Sequence, residues 1–208
     1  MTTINDYVLI IDNGGGSIKL GFGSEDTPLV SFPNVTAKIG KSISMHSNLI
    51  GDQVIGNANG SNLVLSRPCD RGYINNWQCQ IDIWNYSFNS PQVISYLRGK
   101  GISKSCISPR ETSLVLTEPP LNPDTIQNET NEVVFEYFQF KEYVRRPSIW
   151  FSAYEFNKDK NCSIDNDLNS LTVVDSGFSF THSVPFVNAL YQKNCVSYEY
   201  FCIYLVEF

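Results

Sequence analysis

The sequence predicts an α/β fold in which a mixed sheet is flanked by helices. Two observations carry this prediction. Apolar runs of strand length recur along the chain, and between them lie stretches whose apolar residues recur at helical spacing. The chain has 208 residues, of which 42% are hydrophobic and 17% are charged. This composition is typical of a folded globular protein and excludes a disordered tail.

The first predicted elements are two strands that form a β-hairpin. Residues 7–11 (YVLII) are a near-continuous apolar run, as expected for a central strand that is covered on both faces. Residues 17–23 alternate between apolar and polar positions, with Lys19 on the polar face. The intervening NGGG favours a tight turn, and residues 31–35 are a candidate third strand.

The middle of the chain is predicted to combine irregular segments with one clear helix. Residues 40–66 are rich in Gly, Ser and Asn and show no steady period, so we expect an irregular insertion or a small subdomain there. Residues 90–110 are interpreted as a polar loop. Within residues 76–88, apolar side chains recur at intervals of three and four, which predicts a helix with one buried face.

A strand followed by a helix is predicted next. Residues 113–117 (SLVLT) form the strand, and Asn-Pro-Asp at 122–124 favours a helix start, with Asn as the cap and Pro in the first turn. That helix is expected to continue through residues 133–138. A second short helix is predicted over residues 143–156, kinked or restarted at Pro147. Residues 157–170 are interpreted as a charged loop.

A second copy of the glycine-turn hairpin lies near the end of the chain. Residues 171–186 (LTVVDSGFSFTHSVPF) repeat the order of the first hairpin: apolar strand, Asp, Asn or Ser, Gly, alternating strand. The matching triplets are residues 12–14 and 175–177. Two such units indicate a duplicated fold with pseudo-two-fold symmetry, in which the two turns face each other as a clamp.

The residue types of this clamp are those that bind a Mg²⁺-nucleotide. Glycine lets backbone N–H groups converge on an anion. An aspartate repels phosphate but holds the water shell of Mg²⁺, while Lys19 can contact the phosphates as a point charge. The dinucleotide fingerprint and the Walker loop are both absent from the sequence. The alternative is that each turn is only a tight hairpin connection.

The two hairpins resemble the phosphate loops of the actin superfamily. The segments at 72–88 and 114–138 resemble the blocks that follow in that family, in the same order. The resemblance implies an actin-like ATPase (ribonuclease H-like) fold of which only the N-terminal half is present. It places a first domain at residues 1–156, with a linker and the start of a second domain at residues 157–208.

The resemblance also implies a set of site residues. Asp12 and Asp175 would hold the waters of the metal ion, and Lys19 would contact phosphate. The complete candidate set for binding the nucleotide is Asp12, Asn13, Gly14, Gly15, Gly16, Lys19, Asp175, Ser176, Gly177 and Ser179.

Several positions depart from the pattern of the family. Gly15 stands where actins have a serine that touches the terminal phosphate, and Phe178 stands where they have an aspartate. Ser179 replaces a glycine, and Ser148 falls where a glutamine orients the attacking water. His182 keeps its family position, either as a site residue or as a packed strand histidine. We therefore assign no catalytic residue and expect ATP or ADP with Mg²⁺ to be bound with little or no hydrolysis.

Within the superfamily, residues 72–77, 133–140 and 175–186 are most similar to the sixth class of actin-related proteins. That class comprises nuclear subunits of a remodelling complex that exchanges a variant histone. The resemblance implies remodeller subunits as partners, histones as indirect partners, and the nucleus as the main location, with the cytoplasm as a second. A filament-forming cytoskeletal relative and a sugar-kinase-type enzyme remain alternatives.

Charge and hydropathy limit the other classes of partner. The net charge of −6 argues against direct binding of nucleic acid, and the apolar C-terminal tract is too short to span a bilayer. The resemblance stops after residue 186, so we expect a truncated chain with a divergent tail at residues 187–208. That tail is either a strand that covers a sheet edge or an unpaired one.

Overall fold

A computed structural model describes residues 8–39, 48–57, 62–102, 106–159, 170–187 and 190–200. Its elements are β1 (Val8–Asn13), β2 (Ser17–Phe22), β3 (Val30–Pro33), β4 (Thr36–Ile39), β5 (Leu49–Ile50), α1 (Asp52–Gly56), β6 (Leu63–Ser66), β7 (Cys69–Asp70), β8 (Tyr73–Ile74), α2 (Trp77–Phe88), α3 (Pro91–Gly99), β9 (Ser113–Glu118), α4 (Asp124–Glu132), β10 (Glu142–Pro147), α5 (Ser148–Asp159), β11 (Ser170–Ser176), β12 (Phe180–Val187), β13 (Leu190–Tyr191) and β14 (Ser197–Tyr200).

The main sheet has five strands in the order β10-β9-β1-β2-β3. β1 pairs antiparallel with β2 and parallel with β9, and β9 pairs parallel with β10, so the sheet is mixed. Its buried face packs against α2, whose Ile81, Trp84 and Phe88 are all buried. The predicted α/β class, first hairpin and amphipathic helix are confirmed.

The expectation that β1 is covered on both faces is wrong for the described residues. Leu9 and Ile11 are fully buried, whereas Val8 and Ile10 are each 37% exposed. A strand that is buried on both faces needs an apolar sequence, but an apolar sequence does not guarantee that a second layer of structure covers the strand. The sheet therefore presents an apolar outer face.

The second hairpin, β11 and β12, forms a separate sheet. Its two strands pair over seven residue pairs, as the repeat predicted. β12 also pairs with β13 and, through Ser183 and Ser197 among others, with β14. The described part of the tail thus contains two strands, β13 and β14, that cover the free edge of β12, which agrees with the first of the two alternatives.

The described residues between 40 and 66 are ordered into short elements. β5 and β6 flank β4 in a three-stranded sheet, and α1 lies between β5 and β6 in the chain. Val35, Ala37 and Val54 form a small apolar core beneath them. Strands of two to four residues are too short to leave a period in the sequence.

The polar loop predicted over residues 90–110 is wrong in its first half, which forms α3. Ser90 caps this helix, because its Oγ accepts a hydrogen bond from the backbone N–H of Val93 at 3.3 Å. Pro91 occupies the first turn, and Val93 and Leu97 are buried. The Ser-Pro start and the apolar pair four residues apart are a helix signal that the polar composition obscured.

The helix starting near residue 122 is confirmed, but its predicted cap is wrong. Pro123 occupies the cap position, and no side chain caps the helix. The side-chain amide of Asn122 instead donates to Glu118 Oε2 at 2.9 Å. The helix continues as a π-helical turn at Val133–Tyr137, where the expected VVFEY segment lies.

The single helix predicted over residues 143–156 is two elements. Its first part is β10, which pairs parallel with β9, and α5 begins only at Ser148, directly after Pro147. Proline ends the strand and stands immediately before the helix, so it separates the elements rather than kinking one of them. Of the loop predicted at 157–170, residues 160–169 lie outside those described. No helix in the described ranges has the length and apolarity needed to cross a membrane.

Candidate functional site

The two glycine turns meet at one cleft of about 550 Å³. The ten residues predicted from the sequence all line it: Asp12, Asn13, Gly14, Gly15, Gly16, Lys19, Asp175, Ser176, Gly177 and Ser179. The remaining lining residues are Ser17, Gly72, Thr117, Glu118, Pro119, Pro120, Ser148, Phe178, Phe180 and His182. The sequence repeat thus corresponds to a spatial juxtaposition of the two turns.

The first turn is held from behind by Asn34, which is fully buried. Its side-chain amide donates to the Gly14 carbonyl at 2.9 Å, and its backbone N–H donates to the Gly16 carbonyl at 3.0 Å. Both hydrogen bonds are accepted by carbonyl groups of the glycines, and neither involves a glycine N–H group. A turn anchored by its carbonyls can offer its N–H groups to an anion in the cleft.

A buried amide network extends this support into α2. The Asn13 side chain donates to Gln80 Oε1 at 3.1 Å and accepts from the indole N–H of Trp84 at 3.0 Å. Gln80 in turn donates to Asn34 Oδ1 at 3.3 Å. Because each amide in the network has partners, the turn is fixed to the helix without an unsatisfied polar group among them.

Asp12 is placed between two elements of the main sheet. The antiparallel register of β1 and β2 sets Asp12 opposite Lys19, whose Nζ lies 3.0 Å from Asp12 Oδ2. The hydroxyl of Thr117, at the end of β9, donates to Asp12 Oδ1 at 2.9 Å. The carboxylate is thereby oriented by two partners while it remains on the wall of the cleft.

The second turn is closed by a hydrogen bond from the Gly177 N–H to the Phe180 carbonyl, at 2.8 Å. Asp175, which precedes it, accepts a hydrogen bond from the hydroxyl of Ser148 at 3.3 Å. Ser148 is the first residue of α5, so that helix start meets the second hairpin at the cleft. This hydrogen bond joins Ser148, which the resemblance aligns with a glutamine, to Asp175, which was predicted to hold waters of the metal ion.

Phe178 lies across the first turn. Its Cβ, Cγ and one ring carbon are 2.8 to 3.0 Å from the position that a Cβ on Gly16 would occupy. On another side, the guanidinium carbon of Arg67 lies 4.6 Å from the ring centroid. The sequence showed that an aromatic residue replaces a carboxylate here, but only the fold shows that its side chain touches the opposite turn.

His182 is a packed residue at the edge of the cleft. Its side chain is only 6% exposed, and its ring lies beside those of Phe180 and Tyr198. Burial lowers the pKa of His182, and its cross-strand neighbour Asp175 opposes that shift. His182 thus fits both interpretations made from the sequence: it is a packed strand histidine, and it also lines the cleft.

Sequence reasoning missed several residues of the cleft wall. Thr117 lies near the end of β9, and nothing in its local sequence links it to the glycine turns. Ser148 was singled out only through the resemblance to the family, since its local sequence gives no such link either. Gly72 could have been predicted more easily from the sequence. It has a φ of +78°, and a Cβ there would lie 2.7 Å from the Phe180 ring. Both residues of the turn between β7 and β8, Arg71 and Gly72, have positive φ, and the glycine is the part of this turn that the sequence could have indicated.

The donor set of the cleft fits a hydrated metal ion carried by a polyphosphate. Among the described residues, no group of three or more His, Cys, Asp or Glu side chains could hold a bare metal ion. Mg²⁺ keeps most of its waters and needs only one or two carboxylates besides phosphate oxygens. Asp12 and Asp175 could hold such waters, and Lys19 and the glycine turns could hold the phosphates.

Comparison with known proteins supports a common origin for this arrangement. The model of the actin family, described as Actin, matches residues 5–198. Actin-related protein 6 of Arabidopsis thaliana is 34% identical over 183 residues, covering 86% of this chain and 39% of the relative. Actin-related protein 6 of Drosophila melanogaster is 29% identical over 180 residues, covering 86% of this chain and 42% of the relative.

The chain therefore spans about two-fifths of the length of these curated relatives. The similarity covers both glycine turns and the elements between them. It agrees with the resemblance found in the sequence, both to the superfamily and to its sixth actin-related class. Because the family model matches nearly the whole chain, this protein belongs to the actin family.

Proposed function

We propose that this chain is a nucleotide-binding structural subunit of a nuclear chromatin-remodelling complex that exchanges a variant histone. The proposal of nucleotide binding rests on one observation: two glycine turns, one lysine and two aspartates line the same cleft. The assembly part is supported by similarity to proteins named Actin-related protein 6 and by the class resemblance in the sequence.

The ligand in this proposal is ATP or ADP with Mg²⁺. The N–H groups of the first glycine turn, those of Gly14 and its neighbours, would donate to phosphate oxygens, and Lys19 would add a positive charge. The Gly177 N–H already closes the second turn, so Gly177 would only line the phosphate site. Asp12 and Asp175 would orient waters of the metal ion. When bound, Mg²⁺ neutralises part of the phosphate charge.

Hydrolysis is proposed to be slow or absent. It requires a positioned water and a stabilised transition-state charge. The hydroxyl of Ser148 donates to Asp175, and the second turn carries the apolar side chain of Phe178. Neither residue can abstract a proton from water at neutral pH. The nucleotide would then act as a structural ligand that joins the two hairpins.

The partners in this proposal are the other subunits of the remodeller, with histones contacted through them. The net charge of −6 makes direct binding to nucleic acid unfavourable. We propose the nucleus as the main location and the cytoplasm as a second, and we propose no membrane partner.

Purification of the tagged full chain from native cells, with mass spectrometry of the co-eluting proteins, tests the assembly part. Co-elution of a remodelling ATPase with histone-variant factors is the expected result. Recovery of chaperones alone would overturn it.

A nucleotide assay tests the other part separately. The chain should bind a fluorescent ATP analogue and release phosphate no faster than a buffer control. Lys19→Ala should weaken binding by between about tenfold and about a hundredfold, since a charge-assisted hydrogen bond contributes roughly 1.5 to 3 kcal/mol. The exposed Lys38→Ala is the matched control and should bind as the wild type does. Phosphate release at rates typical of filament-forming actin would contradict the proposal.

A further inference from the structure

We infer that Phe178 limits the length of the phosphate chain, so that the cleft binds a nucleoside diphosphate in preference to a triphosphate. This inference rests on the proposed nucleotide binding and adds a specificity to it. The residue concerned lies on the second turn and contacts the first.

The two turns are in direct contact through this side chain. Three carbon atoms of Phe178 lie 2.8 to 3.0 Å from where a Cβ on Gly16 would be, a separation that real Cβ atoms essentially never show. Beside it, Ser179 Oγ lies 3.6 Å from the corresponding position on Gly15, which is ordinary van der Waals contact. The Phe178 side chain therefore fills the space directly in front of Gly16, whereas Ser179 only approaches Gly15.

The aromatic ring is held in this position from a second side. The guanidinium carbon of Arg67 is 4.6 Å from the ring centroid, a cation–π distance. Arg67 Nη1 also lies 3.5 Å from the Gly16 carbonyl oxygen, at the outer limit of a hydrogen bond. Arg67 thus contacts both the ring and the turn that the ring covers. The ring remains 45% exposed and forms part of the cleft wall.

A phosphate group cannot enter between Gly16 and Phe178 while the two residues are in contact. Hydrogen bonds from N–H groups to a phosphate oxygen require donor–acceptor distances of roughly 2.7 to 3.2 Å on each side. A phosphate bridging Gly16 and the second turn would have to displace the ring. The apolar ring face also offers no donor to replace the water that a phosphate oxygen would lose.

A shorter phosphate chain avoids this conflict. The rest of the cleft is lined by Asp12, Lys19, Thr117, Pro119 and Pro120 among others. The whole cleft, with a volume of about 550 Å³, lies within the range of small-molecule sites. A diphosphate could use Lys19 and the Gly14 end of the first turn while the ring stays in place. With the first two phosphates at Lys19 and Gly14, the inferred arrangement brings a third phosphate against Phe178.

The test is competition of unlabelled ADP and ATP against fluorescent mant-ADP, using the full chain with Mg²⁺. The wild type should bind ADP about tenfold more tightly than ATP, a difference of about 1.4 kcal/mol. Phe178→Ala should bring the two affinities to about the same value by strengthening ATP binding. Phe178→Tyr, which keeps the ring, should retain the preference for ADP.

Phe151→Ala is the matched control, because Phe151 is exposed on α5 and does not line the cleft. It should behave as the wild type does. If Phe178→Ala fails to fold by circular dichroism, Phe178→Leu provides a smaller opening and should shift the ratio in the same direction. Wild-type binding of ATP as tight as that of ADP, or an unchanged ratio in the folded variant, would overturn this inference alone. Absence of binding for both nucleotides would overturn the proposed nucleotide binding as well.

Discussion

His182 shows how one buried side chain at the cleft links folding to pH. It lies on β12 opposite Asp175, with Tyr198 of β14 on its other side. Burial disfavours the charged imidazolium, which lowers the pKa of His182 below its ordinary value of about 6.5. The nearby Asp175 carboxylate opposes this shift without reversing it. The folded chain therefore holds this histidine neutral at pH values where the unfolded chain protonates it.

The sign of the effect on stability follows from this difference. The contribution of His182 is fully present above about pH 6.5 and is lost as the pH falls through the lower pKa of the folded state. The free energy of unfolding of the wild type should fall more steeply between about pH 7 and about pH 5 than that of His182→Gln. Urea unfolding at several pH values measures both slopes. The other histidine, His46, is present in both proteins, so its contribution cancels. Equal slopes would contradict the prediction.

At this scale, the sequence predicted residues whose role follows from local order. Asp12, Lys19 and Gly177 are fixed by the strand–turn–strand pattern, since each lies at a defined position relative to a turn. Thr117 and Ser148 could not be predicted in the same way. They reach the cleft only because β9 lies beside β1 and because α5 begins next to the second hairpin.

Among the elements, α3 is the one whose prediction failed most clearly. Its apolar face is narrow, with Val93 and Leu97 buried, and the flanking residues are polar. Its start depends on Ser90, which satisfies one of the N–H groups left free at a helix N-terminus.

Removal of this cap should destabilise the protein. Ser90→Ala should lower the free energy of unfolding by about 1 kcal/mol, because the Val93 N–H loses its acceptor. Ser31→Ala is the matched control, since Ser31 is exposed on β3, and it should change stability by less than about 0.5 kcal/mol. Urea unfolding of the three proteins measures both effects. Equal losses in the two variants would show that the hydroxyl of Ser90 does not act as a cap.

The strand β10 was missed for a different physical reason. Its sequence EYVRRP includes two arginines, which favour a helix about as well as a strand, and its pairing partner β9 lies far away in the chain. Arg145 is accommodated because it pairs with Glu118 at 3.2 Å and donates to the Gln127 carbonyl at 3.0 Å. Tertiary contacts of this kind override local propensity and leave no periodic signal.

At the scale of the whole molecule, the outer face of the main sheet is its most unusual surface. Ile10, Val115 and Val144 lie side by side across β1, β9 and β10 in the strand register. Ile10 and Val144 are 37% and 39% exposed, and Val8 extends the row on β1. A contiguous apolar row on a sheet face favours association with another surface.

The purified full chain is therefore expected to self-associate through this face, because burying apolar area contributes about 25 cal/mol per Å². Sedimentation velocity over a wide concentration range should show species larger than a monomer that increase with concentration. The double variant Ile10→Thr/Val144→Thr keeps β-branched residues in both strands and should shift the distribution toward monomer. Val174→Thr is the matched control, since Val174 is 65% exposed on β11 in the other sheet, and it should leave the distribution unchanged. A wild-type chain that sediments as a monomer at every concentration would show that this row alone does not drive association.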